Sequence, residues 1–127
     1  MKKKIAIIGS TGSIGKTLLN ILRKEKKNFE IVLLVANKSH KDLIKQAKEF
    51  NVKNLILTNN KNYKILKHST KNTNIKIFKD FKKINKILKN RIDYIMSSIS
   101  GIQGLEPTIK LIKYTKKIAI ANKESII

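Results

Sequence analysis

Three glycines, Gly9, Gly12 and Gly15, have the spacing in this chain that points most directly to chemistry. They follow a short apolar run, Ile5–Ile8, and an apolar helical pattern begins at Ile14. A strand, a glycine-rich turn and a helix start in this order form a phosphate cradle. Glycine lets the backbone turn tightly and approach an anion, and free N–H groups at the helix start face that anion. The segment therefore predicts a dinucleotide-binding site.

Two other classes of enzyme share part of this pattern. Gly15-Lys16-Thr17 resembles the end of the phosphate loop of nucleoside triphosphatases, but the distance from Gly9 to Gly15 is too long for that loop. Tyr63 and Lys67 have the spacing of the catalytic pair of short-chain dehydrogenases. Because they lie in a polar segment far beyond the turn, we expect them to be exposed helix residues.

The end of the second predicted strand, Glu30–Ala36, bears on the choice of cofactor. A dinucleotide without a 2′-phosphate is usually held there by an Asp or Glu that binds the ribose hydroxyls. This chain has Asn37-Lys38-Ser39 and no acid. A lysine ammonium suits a phosphate dianion, so Lys38 favours NADPH over NADH. The alternative is that one of many lysines stands there by chance.

The formal net charge of +21 raises the possibility of a basic module that binds nucleic acid or another polyanion. Arginine occurs only at Arg23 and Arg91, and lysines are spread over every predicted helix and turn. Lys, Ile and Asn have codons rich in A and T, which explains the charge as genome composition. We therefore expect no specific nucleic-acid partner, and we keep the basic module as the alternative function.

Strand and helix patterns alternate along the chain, which predicts a Rossmann-like α/β fold with a doubly wound, mostly parallel sheet flanked by helices. The first helix should fade near Lys26, and Ser39 is the expected N-cap of the second. The expected later strands are Asn54–Thr58, Ile75–Phe78, Asp93–Ser97 and Lys117–Ala121, and the expected helices are His40–Phe50, Tyr63–Lys67, Asp80–Lys89 and Leu105–Tyr114. Residues 1–127 are predicted to form one domain.

Two polar segments follow late strands of this pattern, Ser98–Gly104 and Asn122–Ser125. Because ligands of open parallel sheets gather outside the carboxyl ends of the strands, both are expected to face the cofactor cleft. His40 and His68 have no second ligand at metal-binding spacing, and the chain has no cysteine. The sequence therefore predicts no metal site. No apolar stretch approaches the about 20 residues of a membrane span, so no membrane partner is expected.

Three segments together resemble one family in order and spacing: Gly9–Gly15, Ser98–Thr108 and Ala121–Ser125. They resemble the corresponding segments of 1-deoxy-D-xylulose 5-phosphate reductoisomerases, and the resemblance extends over the whole chain. The resemblance implies an NADPH-dependent enzyme of non-mevalonate isoprenoid biosynthesis. Such an enzyme rearranges 1-deoxy-D-xylulose 5-phosphate and reduces the resulting aldehyde to 2-C-methyl-D-erythritol 4-phosphate, with Mg²⁺ or Mn²⁺. It also implies a homodimer at full length, in the cytoplasm or a plastid-like compartment.

The resemblance further implies roles for individual residues. The cofactor-binding residues would be Thr11, Gly12, Ser13 and Ile14 at the pyrophosphate, Lys38 at the 2′-phosphate, and Asn122 and Glu124, with Lys123 reaching the substrate. The family often has Gly-Lys-Asn around Lys38, which leaves the roles of Asn37 and Ser39 open. It also continues into a catalytic domain with an acidic metal site. We therefore expect this chain to be the amino-terminal NADPH-binding domain, with no catalytic or metal-binding residue of its own and no activity alone.

Overall fold

The computed structural model describes residues 2–98 and 112–120. Strands and helices alternate in it, as the sequence predicts. The elements are β1 Lys3–Ile8, α1 Ser13–Arg23, β2 Phe29–Ala36, α2 His40–Phe50, β3 Asn54–Leu57, α3 Asn60–Ser69, β4 Lys76–Phe78, α4 Ile84–Ile87, β5 Ile92–Ser97, a 3₁₀ turn Ile112–Tyr114, and β6 Thr115–Ile120. None of the described helices is long and apolar enough to cross a membrane.

The six strands form one parallel sheet in the order β4-β3-β2-β1-β5-β6. The chain moves outward from β1 to β4 and then returns to the other side of β1 to form β5. This reversal confirms the doubly wound class. It also creates a topological switch point between β1 and β5, and ligands of such sheets bind in the crevice at the carboxyl ends of these two strands.

Helices cover the sheet on both faces, which explains why β1 and β2 are apolar without alternation. Ile5 and Ile7 pack in the same cluster as Leu19 and Leu22 of α1. The alternate residues of β1 point to the opposite cluster, which contains Leu88 after α4. Burial on both faces makes β1 a rigid base for the glycine-rich turn that follows it.

Helix α2 has the predicted bounds, and Ser39 stands at its N-cap, although the Ser39 side chain makes no capping hydrogen bond. Helix α3 is longer than predicted because the Asn59 side chain caps it by accepting from the Asn62 amide at 3.1 Å. The prediction of a helix over Asp80–Lys89 is wrong.

Only Ile84–Ile87 is helical in that segment. The Asp80 carboxylate accepts from the Lys82 amide at 3.0 Å, which stabilises a turn in place of a first helical turn. The predicted helix Leu105–Tyr114 lies largely outside the described residues.

Candidate functional site

The turn after β1 is fixed to the end of β2 by its backbone. Gly9 has a φ of 86°, a conformation that residues with a side chain rarely adopt. The Gly9 and Ser10 amides both donate to the Val35 carbonyl, at 2.7 and 3.1 Å. Gly12 N–H donates to Gly9 O at 3.3 Å and closes the turn. These bonds fix the two ends of the turn relative to each other and to β2.

The other two glycines of the motif have different surroundings. A β-carbon at Gly15 would overlap Gly9 O and lie 2.7 Å from Ser10 Cα, so only glycine allows α1 to pack this closely against the turn. A β-carbon at Gly12 would meet only Gly9 O, at an ordinary distance of 3.7 Å. Packing within the described residues therefore explains Gly15 but not Gly12, whose exposed backbone is open to a ligand.

Helix α1 begins at this exposed backbone without a side-chain cap. Gly12 is its N-cap, and the first helical hydrogen bond runs from Lys16 N–H to Gly12 O at 2.9 Å. The amides of Ser13 and Ile14 precede this bond, and both residues are exposed. The first turn carries no acidic residue. The helix start therefore offers donors and a positive dipole end to an anion.

Strand β5 adds a side-chain hydroxyl to the same place. Ser98 follows β5 directly, and its Oγ lies 3.0 Å from both Ile8 O and Gly9 O. The Ser98 amide also donates to Ile8 O at 2.8 Å. These bonds join the two strands at the switch point. The expectation that the segment from Ser98 faces the cleft is testable at Ser98 alone, because residues 99–104 lie outside the described residues.

Lys16 and Thr17 are engaged within the fold. Lys16 Nζ lies 3.2 Å from the Asp42 carboxylate on α2, and Thr17 Oγ1 donates to Ser13 O at 3.0 Å. In a triphosphatase loop, the corresponding groups contact phosphate and metal. Here Lys16 binds Asp42 and Thr17 binds Ser13 O instead, which agrees with the sequence argument against a nucleoside triphosphatase.

The end of β2 presents Lys38 to solvent with its backbone held by the following elements. The Asn62 side-chain amide donates to Lys38 O, and Thr58 Oγ1 donates to the Asn37 side chain at 2.9 Å. Lys38 is exposed, and no ion pair is found for it in the described part of the chain. Sequence reasoning missed Thr58 and Asn62, although both follow β3, the neighbour of β2 in the sheet.

The remaining candidate residues from the sequence do not lie at the glycine turn in the described structure. Lys67 Nζ stands 5.6 Å from the Tyr63 ring centre on α3, and both residues line a cavity of about 680 Å³ beside the edge strand β4, away from the glycine turn. Among residues 2–98 and 112–120 there is no cluster of three or more His, Asp or Glu side chains that could hold a metal ion. The predicted Asn122, Lys123 and Glu124 lie outside the described residues.

The parallel order, the switch point and the glycine turn together define a Rossmann-like domain of the dinucleotide-binding type. A sequence profile of 1-deoxy-D-xylulose 5-phosphate reductoisomerase matches residues 5–127. The chain therefore belongs to the 1-deoxy-D-xylulose 5-phosphate reductoisomerase family. This confirms the resemblance drawn from the three motifs, and the comparisons give the nucleic-acid alternative no support.

Individual relatives support the same assignment. The reductoisomerase of Pelagibacter ubique is 56% identical over 127 residues, which cover 98% of this chain and 33% of that protein. The Clostridium kluyveri reductoisomerase is 41% identical, with coverages of 98% and 33%. The chain thus spans about a third of the length of these relatives.

Solved structures of the family have the same fold. The Zymomonas mobilis reductoisomerase in complex with NADPH superposes with a TM-score of 0.87 at 28% identity, over 98% of this chain and 33% of that one. A reductoisomerase in complex with NADPH, fosmidomycin and magnesium gives a TM-score of 0.86 at 28% identity, over 98% of this chain and 31% of that one.

Proposed function

We propose that this chain is the NADPH-binding part of a 1-deoxy-D-xylulose 5-phosphate reductoisomerase. The observation that carries the proposal is the uncapped start of α1 at the switch point, next to an exposed Gly12 that packing does not require. This arrangement suits a pyrophosphate bound by backbone amides. Thr11, Gly12, Ser13 and Ile14 would hold it, the hydroxyls of Thr11 and Ser13 adding further donors.

Lys38 would bind the 2′-phosphate of the same cofactor. Support comes from the absence of an acid at the end of β2 and from the exposed ammonium of Lys38, for which the described part of the chain holds no ion-pair partner. Asn122 and Glu124 would contact the cofactor, and Lys123 the substrate. They follow β6, whose Ile120 pairs with Ser97 at the same edge of the sheet as the glycine turn.

The proposed activity of the whole protein is the rearrangement and reduction of 1-deoxy-D-xylulose 5-phosphate. NADPH would supply the hydride for the reduction. The described residues do not fit a divalent-metal site, because Mg²⁺ and Mn²⁺ need several convergent oxygen ligands and no such cluster is found among them. We therefore place the metal ligands and the catalytic residues outside residues 2–98 and 112–120.

Two further properties rest on family membership. We propose a homodimer for the full-length protein and a cytoplasmic location, the latter because the named relatives are bacterial proteins. Sedimentation of the full-length protein would test the first, and a monomer at micromolar concentration would contradict it.

Isothermal titration calorimetry of the 127-residue chain with NADPH and with NADH tests whether this chain binds NADPH. We expect NADPH to bind, and NADH to bind at least about tenfold more weakly, because it lacks a phosphate that a charged partner binds. Equal affinities would remove the role of Lys38. A chain that is folded by circular dichroism and binds neither cofactor would contradict the proposed function.

A further inference from the structure

The central peptide of the glycine turn decides which way one amide points. Gly12 N–H donates to Gly9 O, so the Ser10–Thr11 peptide is the middle unit of a four-residue turn. In β-turns this unit can rotate by about half a turn, which interconverts turn types I and II. Because a trans peptide is planar, its C=O and N–H point in opposite directions. Whatever fixes Ser10 O therefore also fixes Thr11 N–H.

A side chain on α2 fixes Ser10 O. Gln46 Nε2 donates to this carbonyl at 2.9 Å across 36 positions of sequence. Gln46 is 9% exposed and Ser10 is completely buried. Within the described ranges, Gln46 is the only buried residue with a side-chain amide. Such a group is expensive to bury, so a contact with one specific carbonyl is informative about its role.

No second donor shares this task in the part of the chain that the structure describes. Gln46 Nε2 is the one donor found there for Ser10 O. Ser10 Oγ and Gln46 Oε1 are both buried without a hydrogen-bond partner in the same described part. Gln46 itself is held firmly, because Leu43 and Ala47 beside it on α2 are buried in the core. Helix α2 also carries Asp42, which pairs with Lys16 of α1.

We propose that Gln46 is a positioning residue of the cofactor site. By drawing Ser10 O toward α2, it keeps Thr11 N–H directed away from α2, in the orientation that donates to a bound pyrophosphate. This inference rests on the proposed function, because it assumes that NADPH binds at the turn. Thr11 itself has a negative φ, which type I requires, and Gln46 adds a tertiary contact to that local preference.

Gln46→Met tests the proposal, because methionine has a similar length and volume but no donor. We expect the NADPH dissociation constant of the folded chain to rise about twofold, as it would if the competent peptide orientation fell to about half of the population. Thr70→Val is the matched control. Thr70 is also buried, and its hydroxyl donates to Leu66 O at 2.9 Å on α3, away from the turn.

The control is expected to lower the unfolding midpoint and leave the NADPH dissociation constant unchanged. An unchanged constant in folded Gln46→Met would overturn the positioning role. A readout without cofactor separates this result from a failure of the proposed function. NMR relaxation dispersion at the Thr11 and Gly12 amides should be flat in the wild type and show microsecond-to-millisecond exchange in Gln46→Met.

If the wild type binds no NADPH, the proposed function fails, and the dispersion measurement alone decides whether Gln46 fixes the turn. Flat profiles in the variant would then overturn the inference. Exchange in Gln46→Met, with flat profiles at the same amides in Thr70→Val, would support it.

Discussion

The two ends of the sheet differ in how many of their hydrogen-bonding groups have a partner among the described residues. At the amino ends of the strands, two carboxylates have partners: the Arg23 guanidinium donates to both carboxylate oxygens of Glu49, and Asp93 accepts from the Lys4 amide at 2.8 Å. At the carboxyl ends, Lys16 pairs with Asp42, but in residues 2–98 and 112–120 no partner is found for the Ser13 and Ile14 amides or for the Lys38 ammonium. The paired end stabilises the fold, whereas the open end keeps donors available for an anionic ligand.

Among the substitutions that test this comparison, we expect the largest effect from Gly15→Ala. Gly15→Ala places a methyl group on the backbone of Gly9 and Ser10, which cannot move without breaking their bonds to Val35. We expect a loss of about 3 kcal/mol in the free energy of unfolding, the upper end for overpacking, measured by urea denaturation. Gly12→Ala is the matched control, with an expected change within about 1 kcal/mol because Gly12 has an ordinary φ of −78°.

For NADPH affinity, in contrast to stability, we expect the informative effect at Gly12. Gly12→Ala is expected to fold and to bind NADPH more weakly, because its methyl group lies on the exposed backbone that would meet the pyrophosphate. If Gly15→Ala were as stable as the wild type, close packing of α1 on the turn would be disproved.

The second expected effect concerns Lys38 and the open end of the sheet. Lys38→Glu should weaken NADPH binding about ten- to a hundredfold, since a hydrogen bond to a charged group contributes about 1.5–3 kcal/mol. NADH, which lacks the 2′-phosphate, should lose little. Lys64→Glu makes the same change of charge at an exposed position of α3 and should affect neither cofactor by more than the general loss of positive charge.

Calorimetric titration of both cofactors against the three proteins measures this difference. Equal losses for NADPH and NADH in Lys38→Glu would show that Lys38 is one of many solvated lysines. The open end of the sheet would then bind anions through its amides alone.

Local signals made the fold and the position of the glycine turn predictable. The glycine-rich turn after β1 and the bounds of α2 are determined by residues close together in the sequence, so both could be predicted from it. Contacts between distant residues were not predictable, because they depend on strand register and helix packing. Two examples are the hydrogen bond from the Gln46 side chain to Ser10 O and the one from the Ser98 hydroxyl to Gly9 O. The helix over Asp80–Lys89 was predicted too long because the Asp80 side chain competes for a backbone amide, which apolar periodicity does not register.

The smallest expected effect concerns the paired end of the sheet and its response to acid. The hydrogen bond from the Lys4 amide, assisted by Lys116 at 3.5 Å, lowers the pKa of Asp93, and the bond from Arg23 lowers the pKa of Glu49. Each carboxylate therefore contributes stability that is fully present above its unfolded pKa, about 3.9 for Asp and 4.3 for Glu, and that is lost as pH falls through the lower folded pKa.

Asp93→Asn should remove part of this pH dependence. Between about pH 4 and pH 2, the free energy of unfolding of Asp93→Asn, measured in urea, should fall less steeply than that of the wild type, and at pH 7 the variant should be slightly less stable. Lys116→Met, which leaves the Lys4 amide in place, should flatten the profile less, because that amide is the largest cause of the lowered pKa of Asp93. NADPH affinity at pH 7 should not change in either variant, since both positions lie at the end of the sheet opposite to the glycine turn. A loss of NADPH affinity in Asp93→Asn would show that the two ends are coupled and that the separation between a stabilising end and a binding end does not hold.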